Sequence, residues 1–250
     1  MTSNIQNIPK LHLLCMESRF ITAFSNAIQT HWPSYHPNKP TEFPSIEIHN
    51  CRLAAVPAST KFDLVVSPAN SYGRLDGAFD DAISRAFCLP HHHYDTLTHA
   101  VQDVLYEKYR GFLPPGACEL VCFPEELIGQ NEWGCEWVAI CPTMRTPEDV
   151  VWDREVVYQC IWSLLCAIEG WNRRAGAGGD AGSRIETILI TPMATGCGAV
   201  SPDRWAAQMV LAMRHFVDAL EKPERWSRLD WREIYDDTGD VEKTWKQIRY

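Results

Sequence analysis

Apolar positions along this chain follow two periods that take turns. Short apolar or alternating runs occupy Lys10–Met16, Ser45–Cys51, Phe62–Pro68, Ala117–Phe123, Trp137–Pro142 and Ile185–Pro192. Runs of that length, bounded by turn-forming residues, predict strands. Between them the apolar residues recur at helical spacing. Arg19–Trp32 carries Phe20, Ala23, Phe24, Ala27 and Ile28; Asp153–Trp171 carries Val156, Val157, Cys160, Ile161, Leu164, Leu165 and Ile168; Pro202–Leu220 carries Trp205, Met209, Met213, Phe216 and Leu220. A further helix is predicted over Tyr94–Tyr109, and another begins near Asp80. Strand and helix in alternation predict an α/β domain with a sheet covered on both faces. From Glu221 to Tyr250 the chain is charged, rich in tryptophan and weakly helical. That stretch is predicted to be an appendage packed on residues 1–220 through Trp226, Trp231 and Trp245, not a second domain.

Composition narrows the function classes. The formal net charge is −9, which disfavours broad, nonspecific binding to nucleic acid or to an anionic membrane. No apolar run approaches the roughly 20 residues a bilayer span needs. The opening residues MTSNIQNIPK lack the basic-then-apolar order of a secretory signal. There are ten cysteines and no CxxC pair. Most sit inside apolar runs, as in Leu14-Cys15-Met16 and Val121-Cys122-Phe123, where cysteine behaves as a small hydrophobe. Reduced, structural thiols in an intracellular protein, cytoplasmic or nuclear, are expected. The run His91-His92-His93, with His99 beyond it, has no carboxylate or cysteine spaced to complete a metal set. It is expected to form an exposed loop, and no metal is assigned.

Three glycine segments invite a phosphate reading. "AGAGGDAG", Ala175–Gly182, follows a helix and precedes a strand, the reverse of a dinucleotide turn, so a flexible surface loop is expected there. The other two have the right context. "SPANSYGRLDGAFDDAI" leads from the strand ending at Pro68 into a helix, and Gly73 and Gly77 let backbone N–H groups approach a ligand. "TPMATGCGAVSPDRWAAQM" leads from the strand ending near Thr191 through Thr195-Gly196-Cys197-Gly198 to a helix start at Pro202. Small residues before a helix N-terminus suit phosphate oxygens, because the N–H groups there are free and the dipole is favourable. Ligands of α/β sheets sit beyond the carboxyl ends of the strands. Each loop alone is equally well a tight turn; the two together predict a crevice holding a diphosphate.

"FDLVVSPANSYGRLDGAFDDAI" resembles the first signature of macrodomains, the ADP-ribose-binding modules. "VAICPTMRTP" resembles the PTMR strand end of one branch of that family. "TPMATGCGAVSPDRWAAQM" resembles its second phosphate loop and the helix that follows. The three occur in the family's order, and the resemblance covers about residues 45–220. It implies a three-layer α/β/α sandwich with a mixed, mostly parallel sheet, and a cleft for ADP-ribose with no cofactor. It implies that Asn70 meets the distal ribose, that Asp80 positions or activates a water, and that Ser71, Gly73, Asp76, Gly77 and Ala78 belong to the first loop. Thr195, Gly196, Cys197 and Gly198 match the second loop. Asn50 falls near a residue that contacts adenine in the family, and Arg145 is a candidate for phosphate or substrate contact. The chain departs from the pattern at Ala78 and Ala194, where glycine, or at the second position serine, is usual, and at Ser67-Pro68, where other branches carry Asn-Ala, so contacts of that first asparagine do not carry over.

The resemblance implies binding of ADP-ribose, free or on a protein or small molecule, and hydrolysis of an ADP-ribosyl linkage. The activity expected is of the ADP-ribosyl-acceptor hydrolase or O-acetyl-ADP-ribose deacetylase type, with Asn70 and Asp80 as catalytic residues and no metal. A reader without turnover and a phosphatase acting on ADP-ribose 1″-phosphate remain alternatives. So do plainer roles: Asn70 as a turn cap, Asp80 and Asp81 as favourable charge in a helix's first turn, and Arg145 as a solvated loop residue.

Overall fold

The computed structural model describes residues 8–35, 45–176 and 183–246. Six strands form one sheet: β1 (Lys10–Leu14), β2 (Ile46–His49), β3 (Leu64–Ser67), β4 (Glu119–Cys122), β5 (Trp137–Ile140) and β6 (Thr187–Ile190). Their order is β2-β1-β6-β3-β5-β4. All pairs are parallel except β4 with β5. Residue 177–182, the greater part of the glycine-rich Ala175–Gly182 stretch, lies outside the described residues.

Alternation along each strand divides the core in two. Leu11 and Leu13 of β1, Leu64 and Val66 of β3, and Ile188 and Ile190 of β6 enter one cluster with Phe20, Phe24, Ile161, Trp205 and Met209. Leu14, Val65, Val138 and Leu189 point the other way, to Ile83, Phe87, Val101 and Leu105. The first face is covered by α1 (Ser18–His31), α4 (Val156–Gly176) and α5 (Pro202–Glu221). The second is covered by α2 (Phe79–Phe87) and α3 (Thr96–Tyr109). The protein is therefore a three-layer α/β/α sandwich with a mixed, mostly parallel sheet. Central strands buried on both faces explain why they read as continuous apolar runs rather than as clean alternation.

Helix α5 starts where its sequence says. Ser201 caps it by accepting from the Arg204 N–H at 3.2 Å, and Pro202 occupies the first turn, where a missing N–H is harmless. Trp205, one turn in, is fully buried against Phe20 and Phe24 of α1, with ring centroids 5.7 and 6.1 Å away. Burying a side chain of this kind contributes on the order of 2–3 kcal/mol.

The C-terminal stretch adds α6 (Pro223–Trp226) and α7 (Trp231–Glu242). Trp226 stacks on Trp162 at 5.4 Å and donates to Asp218, and Trp245 donates to Glu155 beneath the Arg154 guanidinium. Trp231 departs from expectation: it is 71% exposed and, among the described residues, meets only the Tyr235 ring. The capping box at Asp230 and Glu233 sets the start of α7 without it. The cysteines also depart in part. All ten are free, but Cys122, Cys166 and Cys197 are exposed, because they fall on outward positions or, for Cys197, at a loop tip.

Candidate functional site

At the carboxyl ends of β1, β6, β3 and β5 lies a cleft of about 380 Å³. Four stretches supply its walls: Met16–Phe20 entering α1, Pro68–Asp80 entering α2, Thr143–Pro147 after β5, and Thr191–Gly198 before α5. The crevice lies where an open α/β sheet is expected to hold a ligand.

Asp80 forms part of its floor. The carboxylate is 7% exposed and accepts a hydrogen bond from the Ser67 hydroxyl at 2.7 Å. Burial pushes its pKa up to about 7; the Ser67 bond pulls the other way, and the charge of Asp76 adds to the rise. A carboxyl group near neutrality, reached from a cleft, is suited to exchange a proton with a bound water. Ser67, the last residue of β3, is not among the site residues expected from the sequence, where it stands out only as a departure from the macrodomain pattern.

The second loop presents backbone donors. The Ala199 N–H bonds Gly196 O and the Val200 N–H bonds Ala194 O, closing the turn. Among the described residues, no protein acceptor takes the N–H of Thr195, Gly196, Cys197 or Gly198. All four residues line the cleft. A Cβ added at Gly196, or at Gly77 across the cleft, would meet nothing within 4 Å. The bare backbone at both positions faces open space. The cations nearby are already engaged: Arg19 pairs with Glu17 at 2.9 Å and Arg74 with Asp76 at 2.5 Å. An anion seated here is met chiefly by the peptide N–H groups of this loop.

Ala78 and Ala194 hold backbone conformations that favour glycine. Their φ values are 51° and 58°, in the region L-residues avoid. Ala78 is also the N-cap of α2, where it offers no side-chain acceptor.

Asn70 lines the cleft, yet most of its amide is committed to its own turn. Oδ1 accepts from the N–H groups of Tyr72 (3.0 Å) and Arg74 (3.4 Å), and Nδ2 donates to Arg74 O at 2.8 Å. One amide N–H is left for a ligand, where the sequence suggested a donor and an acceptor. Asp76 lines the cleft and accepts from the Arg74 guanidinium.

Four candidates lie outside the lining. Ser71 is buried and bonds the Met144 carbonyl through both its N–H and its hydroxyl. Gly73, at φ 66°, lies against α3, where a Cβ would come within 2.6 Å of Val101 and 2.9 Å of Leu105. Asn50 donates to Cys15 O at 2.8 Å, tying the end of β2 to that of β1. Arg145 donates to the Tyr72 hydroxyl and lies over the Phe112 ring on the outer side of the loop.

No family model and no curated protein matches the chain. Among solved structures, a point mutant of the Oceanobacillus iheyensis macrodomain, solved with ADPR, overlaps it with a TM-score of 0.46. The two are 16% identical, over 65% of this chain and 75% of that one.

Proposed function

We propose that the cleft binds ADP-ribose and that Asp80 serves there as the general base for hydrolysis of an ADP-ribosyl linkage. The observation that carries the reading is Asp80 itself: a buried carboxyl group titrating near 7, on the floor of a cleft whose opposite wall is a loop of unpartnered N–H groups. The order of the macrodomain-like segments adds the ligand. In this reading the Thr195–Gly198 N–H groups hold the diphosphate, and the open Cα positions of Gly77 and Gly196 leave room for it. The remaining amide N–H of Asn70 donates to a hydroxyl of the distal ribose.

Fixing the ligand by its diphosphate places the anomeric carbon near Asp80, and such positioning is worth several kcal/mol of barrier. Ionised Asp80 takes a proton from water, the water oxygen bonds to the anomeric carbon, and the bond to the acceptor breaks. The acceptor leaves with that proton, and ADP-ribose is released. Ser67 holds the carboxylate in place.

A reader without turnover is the second reading, and one observation favours it: Asn70 has only one N–H to spare, so less of the floor engages the reacting ribose. Titration calorimetry with ADP-ribose, AMP and NAD, followed by turnover of an ADP-ribosylated protein, separates the cases. The hydrolase reading expects kcat to rise with pH through about 7. It also expects Asp80→Asn to lower kcat about a hundredfold while affinity stays within about tenfold. Tight binding with no turnover leaves the reader; release of phosphate from ADP-ribose 1″-phosphate identifies a phosphatase; absence of any heat with ADP-ribose overturns both ligand and activity.

A further inference from the structure

We infer that His12, Glu47 and His49 form a divalent transition-metal site, of the kind zinc occupies, between the edge strand β2 and its neighbour β1. Parallel register sets His12 opposite Glu47, and His49 follows two residues on, so all three side chains emerge on one face of the sheet. One ligand atom from each lies within 4.8 Å of the others.

The spacing fits an ion. His12 Nδ1 is 2.9 Å from His49 Nε2 and 3.6 Å from one Glu47 oxygen, and His49 Nε2 is 3.7 Å from the other. Ligand atoms at 2.0–2.1 Å from a tetrahedral zinc stand about 3.3 Å apart. Two imidazoles and one carboxylate make a donor set that suits zinc and its neighbours and not magnesium or calcium. His12 is buried while Glu47 is 51% exposed, which gives the site a rigid side and a side open to solvent, where a water completes the coordination. Lys10, 3.5 Å from Glu47, is itself exposed and free to swing away.

Among the described residues, strand β2 has β1 as its sole neighbour in the sheet. A metal joining His12 to Glu47 and His49 therefore clips the edge strand to the body of the domain. The site stands apart from the cleft, none of whose lining residues it shares.

The full chain, stripped with a chelator and dialysed against zinc chloride, should retain a single equivalent of zinc by elemental analysis and melt at a higher temperature than the stripped form. Cobalt in place of zinc should give visible absorption typical of a four- or five-coordinate site. Glu47→Gln and His49→Ala should each weaken zinc binding about a hundredfold or more, and zinc should no longer raise their melting temperatures. Asp80→Asn should bind zinc as the parent does. His12→Ala removes a buried ring and puts folding itself at risk, so the two edge-strand variants decide the matter. A parent that retains no zinc overturns the assignment. Undiminished zinc in both edge variants also overturns it and moves the metal to another cluster, such as His91-His92-His93.

Discussion

Gly77 and Gly196 stand in open space at the cleft, while Gly73 and Gly198 have no room for a side chain. In the sequence all four look like glycines of phosphate loops. In the structure they do two different jobs. The open pair leaves volume for something that is not protein. The closed pair lets protein approach protein: α3 reaches the backbone of Gly73, and the Ala194 carbonyl and Val150 reach Gly198. A loop glycine therefore reports function only when the space in front of it is empty.

Substitutions test that division, beginning with the largest effect. Gly73→Ala forces a methyl group to within 2.6 Å of Val101 at a φ of 66°. Overpacking and left-handed strain together cost about 4 kcal/mol, to be read as a lower melting temperature. A mutant melting with the parent would break the comparison.

Asp80→Asn probes how dry the floor beside the open pair is. The folded pKa, about 7, lies above the ordinary 3.8. Below pH 3.8 both states are protonated and the group is neutral toward stability. As pH rises from 4 to 7 the unfolded chain releases the proton and the folded chain keeps it, so stability falls, by up to about 4 kcal/mol. The asparagine variant should lose this decline. Denaturant melts at pH 4.5 and pH 8 measure it, and parallel pH profiles for the two proteins would contradict it.

Gly198→Ala meets a backbone oxygen at 2.6 Å, which yields less readily than a side chain, and should cost about 3 kcal/mol of stability. Gly196→Glu belongs to the other class. It should leave the melting temperature near that of the parent, yet weaken ADP-ribose by about 3 kcal/mol, since it sets a charge where an anion is to sit. Calorimetry beside thermal melting separates the two effects; loss of stability without loss of affinity would reverse the assignment. Ala78→Gly is the smallest. Relief of the positive φ is partly offset by the added freedom of the unfolded chain, leaving a gain below about 1 kcal/mol in the melt.

The fold was legible where burial dictates residue type. All six strands and the long helices fall where the apolar periods put them, and Pro202 marked the start of α5. Sheet order was not legible, because β6 enters between β1 and β3 through pairings that no local pattern encodes. Antiparallel β4 was hidden for the same reason. Within the site, the acidic start of α2 and the glycine turns could be read, but not which atoms were already taken. Gly73 faces Val101 from 28 positions away. The Asn70 amide folds back on its own turn. His12 meets Glu47 only because β1 and β2 align.

The four stretches that wall the cleft lie far apart along the chain, and this bears on when it comes into being. Thr191 holds the Leu14 carbonyl at 3.1 Å across 177 residues, and β6 is the strand that brings the loops after β1 and β3 to the same crevice. On a ribosome, β3, β5 and β4 can pair among themselves long before β6 emerges, whereas contacts of such separation come late. A chain released before β6 would hold β2-β1 and β3-β5-β4 as separate pieces of sheet and no crevice. Formation of the crevice then acts as a timestamp on synthesis: it registers the last strand going in, not the first ones forming.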